Sequence, residues 1–178
     1  MKYLIISDIH GGSYFLEKVL EGVNDFDKLV ILGDILYHGP RNDLPDNYDP
    51  KKVISILNAV KDKIVAVRGN CDAKIDLEVL DFEILDNREM EMNNHKCFLT
   101  HGDFHNIENL PILEGKYNLF HGHTHRNIVE EKGNVKVINV GSISSPKDGF
   151  YSYAIVEEDT VRVYDLIKGT IIFEEILI

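Results

Sequence analysis

The chain has 178 residues, 44% hydrophobic and 28% charged, the profile of an ordinary globular protein long enough to bury a core. A formal net charge of -11 repels polyanions, which argues against an extended nucleic-acid partner but leaves room for a small phosphorylated substrate. Two cysteines form no disulfide framework and no apolar run reaches the roughly 20 residues that span a bilayer, so a cytoplasmic protein with no membrane partner is expected.

In chain order, Tyr3 to Ser7 is a short apolar run that reads as a buried strand. Leu16, Val19, Leu20 and Val23 then recur at helical spacing, with Ser13 as the expected N-cap. Lys28 to Leu32 is a second strand, followed by a long loop carrying Pro40 and Pro45. Asp49-Pro50 reads as an N-cap with proline at the first helical position, and Val53, Leu57 and Val60 form that helix's apolar stripe. Ile64 to Val67 is a third strand, completing a β-α-β-α-β pattern that implies parallel strands covered by helices. Beyond it, Phe98 to Thr100 and Tyr117 to Phe120 are short strand-like runs, each followed by His-Gly. Val135 to Val140 is another strand. Tyr151 to Val156, Val161 to Leu166 and Thr170 to Leu177 read as a meander with turns at Asp159-Thr160 and Lys168-Gly169. With no repeat or linker in sight, residues 1–178 are expected to form one domain of two packed sheets with helices outside.

Five polar clusters follow apolar runs: Asp8-Ile9-His10, Gly33-Asp34, Gly69-Asn70-Cys71-Asp72, His101-Gly102 and Gly122-His123-Thr124-His125. Each alone has a plain structural explanation, since an aspartate after a strand is usually a turn or cap and a lone histidine is usually a packed one. Their shared placement is what coincidence explains poorly, because strand ends hold side chains rigidly and let distant residues converge. Carboxylate, amide oxygen and imidazole together suit borderline divalent ions such as manganese, iron, zinc or nickel. A pair of ions needs a bridging carboxylate, for which Asp34 is the natural candidate, and such a pair can hold a hydroxide aimed at phosphorus.

This ordered set resembles the calcineurin-like metallophosphoesterases over essentially the whole chain. The segments from Gly33 to Asn42, Ala66 to Asp72 and Glu108 to Pro111, together with Gly141-Ser142, resemble the small bacterial YfcE-type phosphodiesterases more closely still. The resemblance implies an α/β fold, a four-layer α/β/β/α sandwich of two mixed sheets. It implies that Asp8, His10, Asp34 and His125 hold one metal ion and that Asp34, Asn70, His101 and His123 hold a second, with manganese the first expectation. The implied function is a dinuclear phosphodiesterase acting through a metal-bridging hydroxide.

Two positions depart from the wider superfamily. Cys71 stands where many members have a histidine that assists the leaving group with help from an aspartate matching Asp72, and Asp103 stands where a histidine often follows His-Gly. Asn70, Asp72 and His38 are therefore the catalytic candidates, and Arg41 and Cys71 the substrate-binding ones. For Cys71 the packed, non-catalytic role is slightly favoured. His38 also reads as a loop histidine supporting its turn, and Arg41 as a surface cation paired with an acid. A phosphomonoesterase would use the same two metals, and a scaffold like the retromer subunit of this fold would use none of the chemistry. Retention of a suitable donor at every expected position favours the enzyme. The alternating apolar residues of the last strands suit core packing or a homo-oligomer equally.

Overall fold

The computed structural model describes the backbone of residues 1–178 and every side chain except those of Asp76 and Leu77. The first strand, β1 (Lys2–Ile6), leads into α1 (Ser13–Gly22), β2 (Lys28–Ile31), α2 (Pro50–Ala59) and β3 (Ile64–Val67). This is the β-α-β-α-β unit expected from the spacing, and β1, β2 and β3 pair in parallel. A short α3 (Lys74–Leu77) and β4 (Ile84–Leu85) follow, β4 pairing parallel to β3. Next come β5 (Arg88–Met92), β6 (His95–Leu99), β7 (Tyr117–His121), β8 (Asn127–Lys132) and β9 (Val135–Val140). The chain ends in β10 (Ser152–Glu157), β11 (Thr160–Asp165) and β12 (Ile171–Ile176).

Two mixed sheets result, ordered β12-β11-β10-β1-β2-β3-β4 and β5-β6-β7-β9-β8. The closing meander returns to the first sheet, where β10 pairs antiparallel with β1. Side chains alternate across β1: Leu4 and Ile6 face α1 and α2, joining Leu16, Val19, Val53 and Leu57, while Ile5 faces the second sheet. Between the sheets Ile5, Val30, Leu32 and Val67 meet Leu99, Phe120, Ile138 and Val140. Burial on both faces explains why these strands read as continuous apolar runs. The outer face of the smaller sheet is covered by irregular chain, with Ile107, Leu110 and Leu113 packed on Phe98, Tyr117 and Leu119. That cover is tied by Asn106 and Asn109, whose side chains bond to Gly102 O and Phe104 O, so a loop rather than a helix forms this layer among the described residues.

Of three local expectations, two shift and one holds. Gly12, not Ser13, is the N-cap of α1, because the Ser13 hydroxyl donates to Asn47 O at 3.0 Å instead of capping the helix. Asp49 does cap α2, accepting Lys52 N–H at 3.0 Å ahead of Pro50. The hairpin between β10 and β11 turns at Glu158-Asp159, one residue earlier than read, since Glu157 already pairs with Thr160. The strands the sequence hid, β4, β5 and β8, are all sheet edges. Their charged side chains (Arg88, Glu89 and Glu91 on β5; Glu130, Glu131 and Lys132 on β8) guard those edges and erase the apolar signal.

Candidate metal centre

Five loops leave the C-terminal ends of β1, β2, β3, β6 and β7 and bring all seven expected ligands together. The backbone is unusual there: Asp8, His10, Asp34, His123 and His125 all have left-handed φ, between 48° and 66°. Each such non-glycine residue costs on the order of 1 kcal/mol, a strain that persists only where the surroundings enforce it. The enforcement is visible. Asp8 N–H donates to Gly33 O, His10 N–H to Asp34 O and Gly11 N–H to Ile35 O, stitching the first loop to the second. Ser142 Oγ donates to Asp8 O at 2.9 Å, and Ser144 Oγ reaches both Asp8 O and Ile9 O.

The imidazoles are set by their other nitrogen. His10 Nδ1 donates to Tyr37 O at 2.8 Å, His101 Nδ1 to Leu32 O at 2.7 Å, and His125 Nδ1 to Ser145 O. A carbonyl only accepts, so each Nδ1 carries a proton and each Nε2 is the nitrogen left to face the centre. There His10 Nε2 lies 3.2 Å from His125 Nε2, which lies 3.2 Å from Asp8 Oδ1. On the other side His101 Nε2 lies 3.1 Å from Asn70 Oδ1 and 3.3 Å from His123 Nδ1. Asp34 Oδ2 sits between the two groups, 3.7 Å from His10 Nε2 and 3.4 Å from His101 Nε2. The other Asp34 oxygen accepts Cys71 N–H at 2.8 Å, which orients the carboxylate.

Donor therefore meets donor across the centre. Asp8 Oδ2 is occupied by the Ser7 hydroxyl and His123 N–H, but Oδ1 is buried with no hydrogen-bond partner. A buried, unpaired carboxylate oxygen beside a second carboxylate is costly unless positive charge fills the gap. The titration behaviour says the same. Burial opposes charge on His101, yet its bond to Asp34 and the fields of Asp8 and Asp34 raise its pKa to about 9. Burial likewise opposes ionisation of Asp8, but contact with His125 and the fields of the three histidines hold it well below the usual carboxylate range. The residues present fit bound divalent cations.

The remaining candidates separate. Asp72 is buried, with both oxygens consumed by backbone: Oδ2 accepts Asp34 N–H and Gly69 N–H, and Oδ1 accepts Ile35 N–H, each at 2.8 Å. It pins the second loop to the third while also lining the cleft. Gly69 is required at that junction, since a Cβ there would stand 2.1 Å from Asp34 Oδ1. Cys71 does line the cleft, but burial and the nearby Asp34 push its thiol up to about 12. His38 does not line the cleft. Its ring packs edge-on against Tyr37 and Tyr48, with centroids 4.8 and 5.3 Å away, so the geometry supports the loop-histidine role and not the catalytic one.

The cleft over the ligands has a volume of about 660 Å³, and its walls include Tyr37, Arg41, Asn70, Cys71, Thr124 and Lys147. Arg41 thus lines the cleft. No motif in the sequence assigns Lys147, Ser142, Ser144 or Asn139 a role in the site, although Gly141-Ser142 belongs to the family resemblance. Asn139 Nδ2 holds Gly122 O and Thr124 Oγ1, bracing the turn that carries His123. Its position inside an apolar strand was the available signal: a buried amide on β9 needs partners.

Residues 1–161 match the family described as the calcineurin-like phosphoesterase superfamily domain. The chain belongs to that superfamily. The Escherichia coli protein "Phosphodiesterase YfcE" is 43% identical over 176 residues, covering 97% of this chain and 96% of its own length. The solved structure of YfcE, a phosphoesterase from E. coli, matches over 100% of both chains with TM-score 0.94 at 41% identity. Wild-type Vps29 from Entamoeba histolytica, solved with zinc, matches over 98% of this chain and 97% of its own with TM-score 0.61 at 19% identity, a likeness of fold alone. This chain is a metal-dependent phosphoesterase of the superfamily, with the expected two mixed sheets and helices. No helix among the described residues is long and apolar enough to cross a membrane.

Proposed function

We propose that the chain hydrolyses phosphodiesters of small molecules, with two divalent transition-metal ions held by the seven converging side chains. Asp8, His10, Asp34 and His125 would hold one ion, and Asp34, Asn70, His101 and His123 the other. The observation that carries this reading is the unpaired, buried Asp8 Oδ1 among inward-facing imidazole nitrogens, with Asp34 Oδ2 between two groups of them. Ions bound there would neutralise phosphoryl oxygens and supply an acidified water as nucleophile at neutral pH. Carboxylate, amide and imidazole donors favour manganese, iron, zinc or nickel over magnesium, with manganese our first choice.

The chain's own residues orient and shield. Three carbonyls, of Tyr37, Leu32 and Ser145, fix the tautomers of His10, His101 and His125. Asn70 is held with its Oδ1 toward His101 and its Nδ2 3.3 Å from Cys71 Sγ, at the cleft wall. The high pKa of Cys71, about 12, leaves the thiol protonated and a weak acid. The identity to YfcE, named a phosphodiesterase, supports the diester as substrate class. Free thiols at Cys71 and Cys97 accord with a cytoplasmic setting.

The test is turnover of matched nitrophenyl phosphate mono- and diesters by chelator-stripped protein given manganese, nickel, zinc, iron or magnesium in turn. Diester hydrolysis restored by a transition metal is expected. A monoester preference would overturn the substrate class, and no turnover with both sites filled would return the scaffold reading.

A further inference from the structure

A second concavity of about 300 Å³ adjoins the metal cleft, and Arg41, Asn42 and Lys147 line both. Its walls are Leu44, Pro45, Pro146 and Tyr151, with Ser144 and Ser145 at the side nearest the ligands. The wall is built rather than loose. Pro45 is buried, Asn42 Nδ2 holds His38 O at 2.8 Å, and Tyr151 stacks on Phe15 with centroids 4.1 Å apart. Lys147 is anchored beside the site, since its N–H donates to His125 O at 2.9 Å.

The charge pattern at this junction selects a ligand. Arg41 and Lys147 have no ion-pair partner among the described residues, on a chain whose net charge is -11. Farther out, the second concavity carries Asp43 and Asp46. An anion reaching past Arg41 and Lys147 would meet those carboxylates, so the favourable position for negative charge is the shared rim. A scissile phosphodiester group has a single negative charge, which bound cations would neutralise. Two further unpaired cations exceed what that group needs.

We propose that Arg41 and Lys147 form an anion subsite, and that the preferred phosphodiester carries a second anionic group, phosphate or carboxylate, on one alcohol arm. The rest of that arm would lie against Pro45, Pro146 and Tyr151. This inference rests on the phosphodiesterase reading and names its substrate class. A guanidinium and an ammonium on one phosphate give charge-assisted hydrogen bonds, of which the guanidinium can supply two.

The experiment compares 4-nitrophenyl n-propyl phosphate with 4-nitrophenyl 3-phosphonopropyl phosphate, whose second anion cannot be hydrolysed. The readout is the ratio of kcat/KM values, which nonproductive binding does not distort. In metal-loaded wild type the phosphonate-bearing ester is expected to lead about tenfold or more, the equivalent of one good charge-assisted contact. The ratio should fall toward unity in Arg41→Gln/Lys147→Gln, and fall in wild type as salt is raised from 0.05 to 0.5 M. Both replaced side chains are exposed, so an unchanged melting temperature shows that the variant is folded. A wild-type ratio of one or below, or a preference that survives the double replacement, overturns the subsite while leaving plain diester hydrolysis intact. Failure of wild type to hydrolyse either ester would instead overturn the phosphodiesterase reading, and the subsite with it.

Discussion

Asp72→Asn isolates what the buried carboxylate does. In the native protein its two oxygens accept three backbone N–H groups, from Asp34, Gly69 and Ile35, all at 2.8 Å. Asparagine can keep its oxygen toward Asp34 and Gly69, which turns its NH2 against Ile35 N–H and leaves that buried donor unpaired. The orphaned N–H costs about 1–3 kcal/mol, and weakening two charge-assisted bonds adds about 1 kcal/mol. Relief from burying the charge offsets part of this, since burial pushes the Asp72 carboxyl's pKa up. The net is about 2 kcal/mol, which for a chain of this size lowers the melting temperature by roughly 4–8 °C. The measurement is thermal unfolding of the chelator-treated variant and wild type, so that metal binding does not enter the comparison. With metal restored, kcat should also fall, because the bond anchoring Asp34 N–H is weakened and the adjoining Ile35 N–H is left unpaired. Melting within 1 °C of wild type alongside a large loss of rate would refute the pinning role and return Asp72 to direct catalysis.

Three further outcomes follow from the same geometry. Gly69→Ala places a Cβ against the Asp34 carboxylate and should abolish high-affinity metal binding, whereas Gly22→Ala, with open space at the end of α1, should raise stability by about 0.4–1 kcal/mol. Denaturant titration and metal titration of both variants check this pair, and tight metal binding by the Gly69 variant would contradict it. His38→Ala should lower turnover by similar factors for good and poor leaving groups, since the ring packs on Tyr37 and Tyr48 outside the cleft. A loss confined to poor leaving groups would restore His38 as an acid. Metal binding should release protons at pH 7, because His101, raised to about 9, holds a proton that an incoming cation must displace. Affinity should therefore climb as pH rises toward 9, by up to about tenfold per unit, and level off above it. Calorimetry in buffers of different ionisation heat counts those protons, and a count near zero would contradict the assignment.

The sequence disclosed the centre better than its supports. All seven candidate ligands that the structure brings together were legible because polar clusters closing apolar runs stand out against a buried sheet. The left-handed backbone at Asp8, His10, Asp34, His123 and His125 was not, since only glycine advertises positive φ in a sequence. Asp72 looked like a partner in proton transfer because its spacing from Asn70 matched a catalytic motif, and only its three backbone donors assign it to the loops. His38 belonged to the loop that does line the cleft, but its side chain packs away from the lining. Lys147 had no motif at all: it reaches the cleft because His125 O holds its backbone, a contact 22 residues along the chain. Edge strands β5 and β8 escaped notice because charge protects an edge and hides it in the same stroke.

The most direct test of two-ion binding is stoichiometry. Chelator-stripped protein would be dialysed against manganese, freed of excess, and analysed for metal per chain by elemental mass spectrometry, beside Asp34→Asn. Two ions per wild-type chain, falling below one in the variant, is the predicted result. One ion per wild-type chain, or two retained without Asp34, would contradict a centre bridged by that carboxylate.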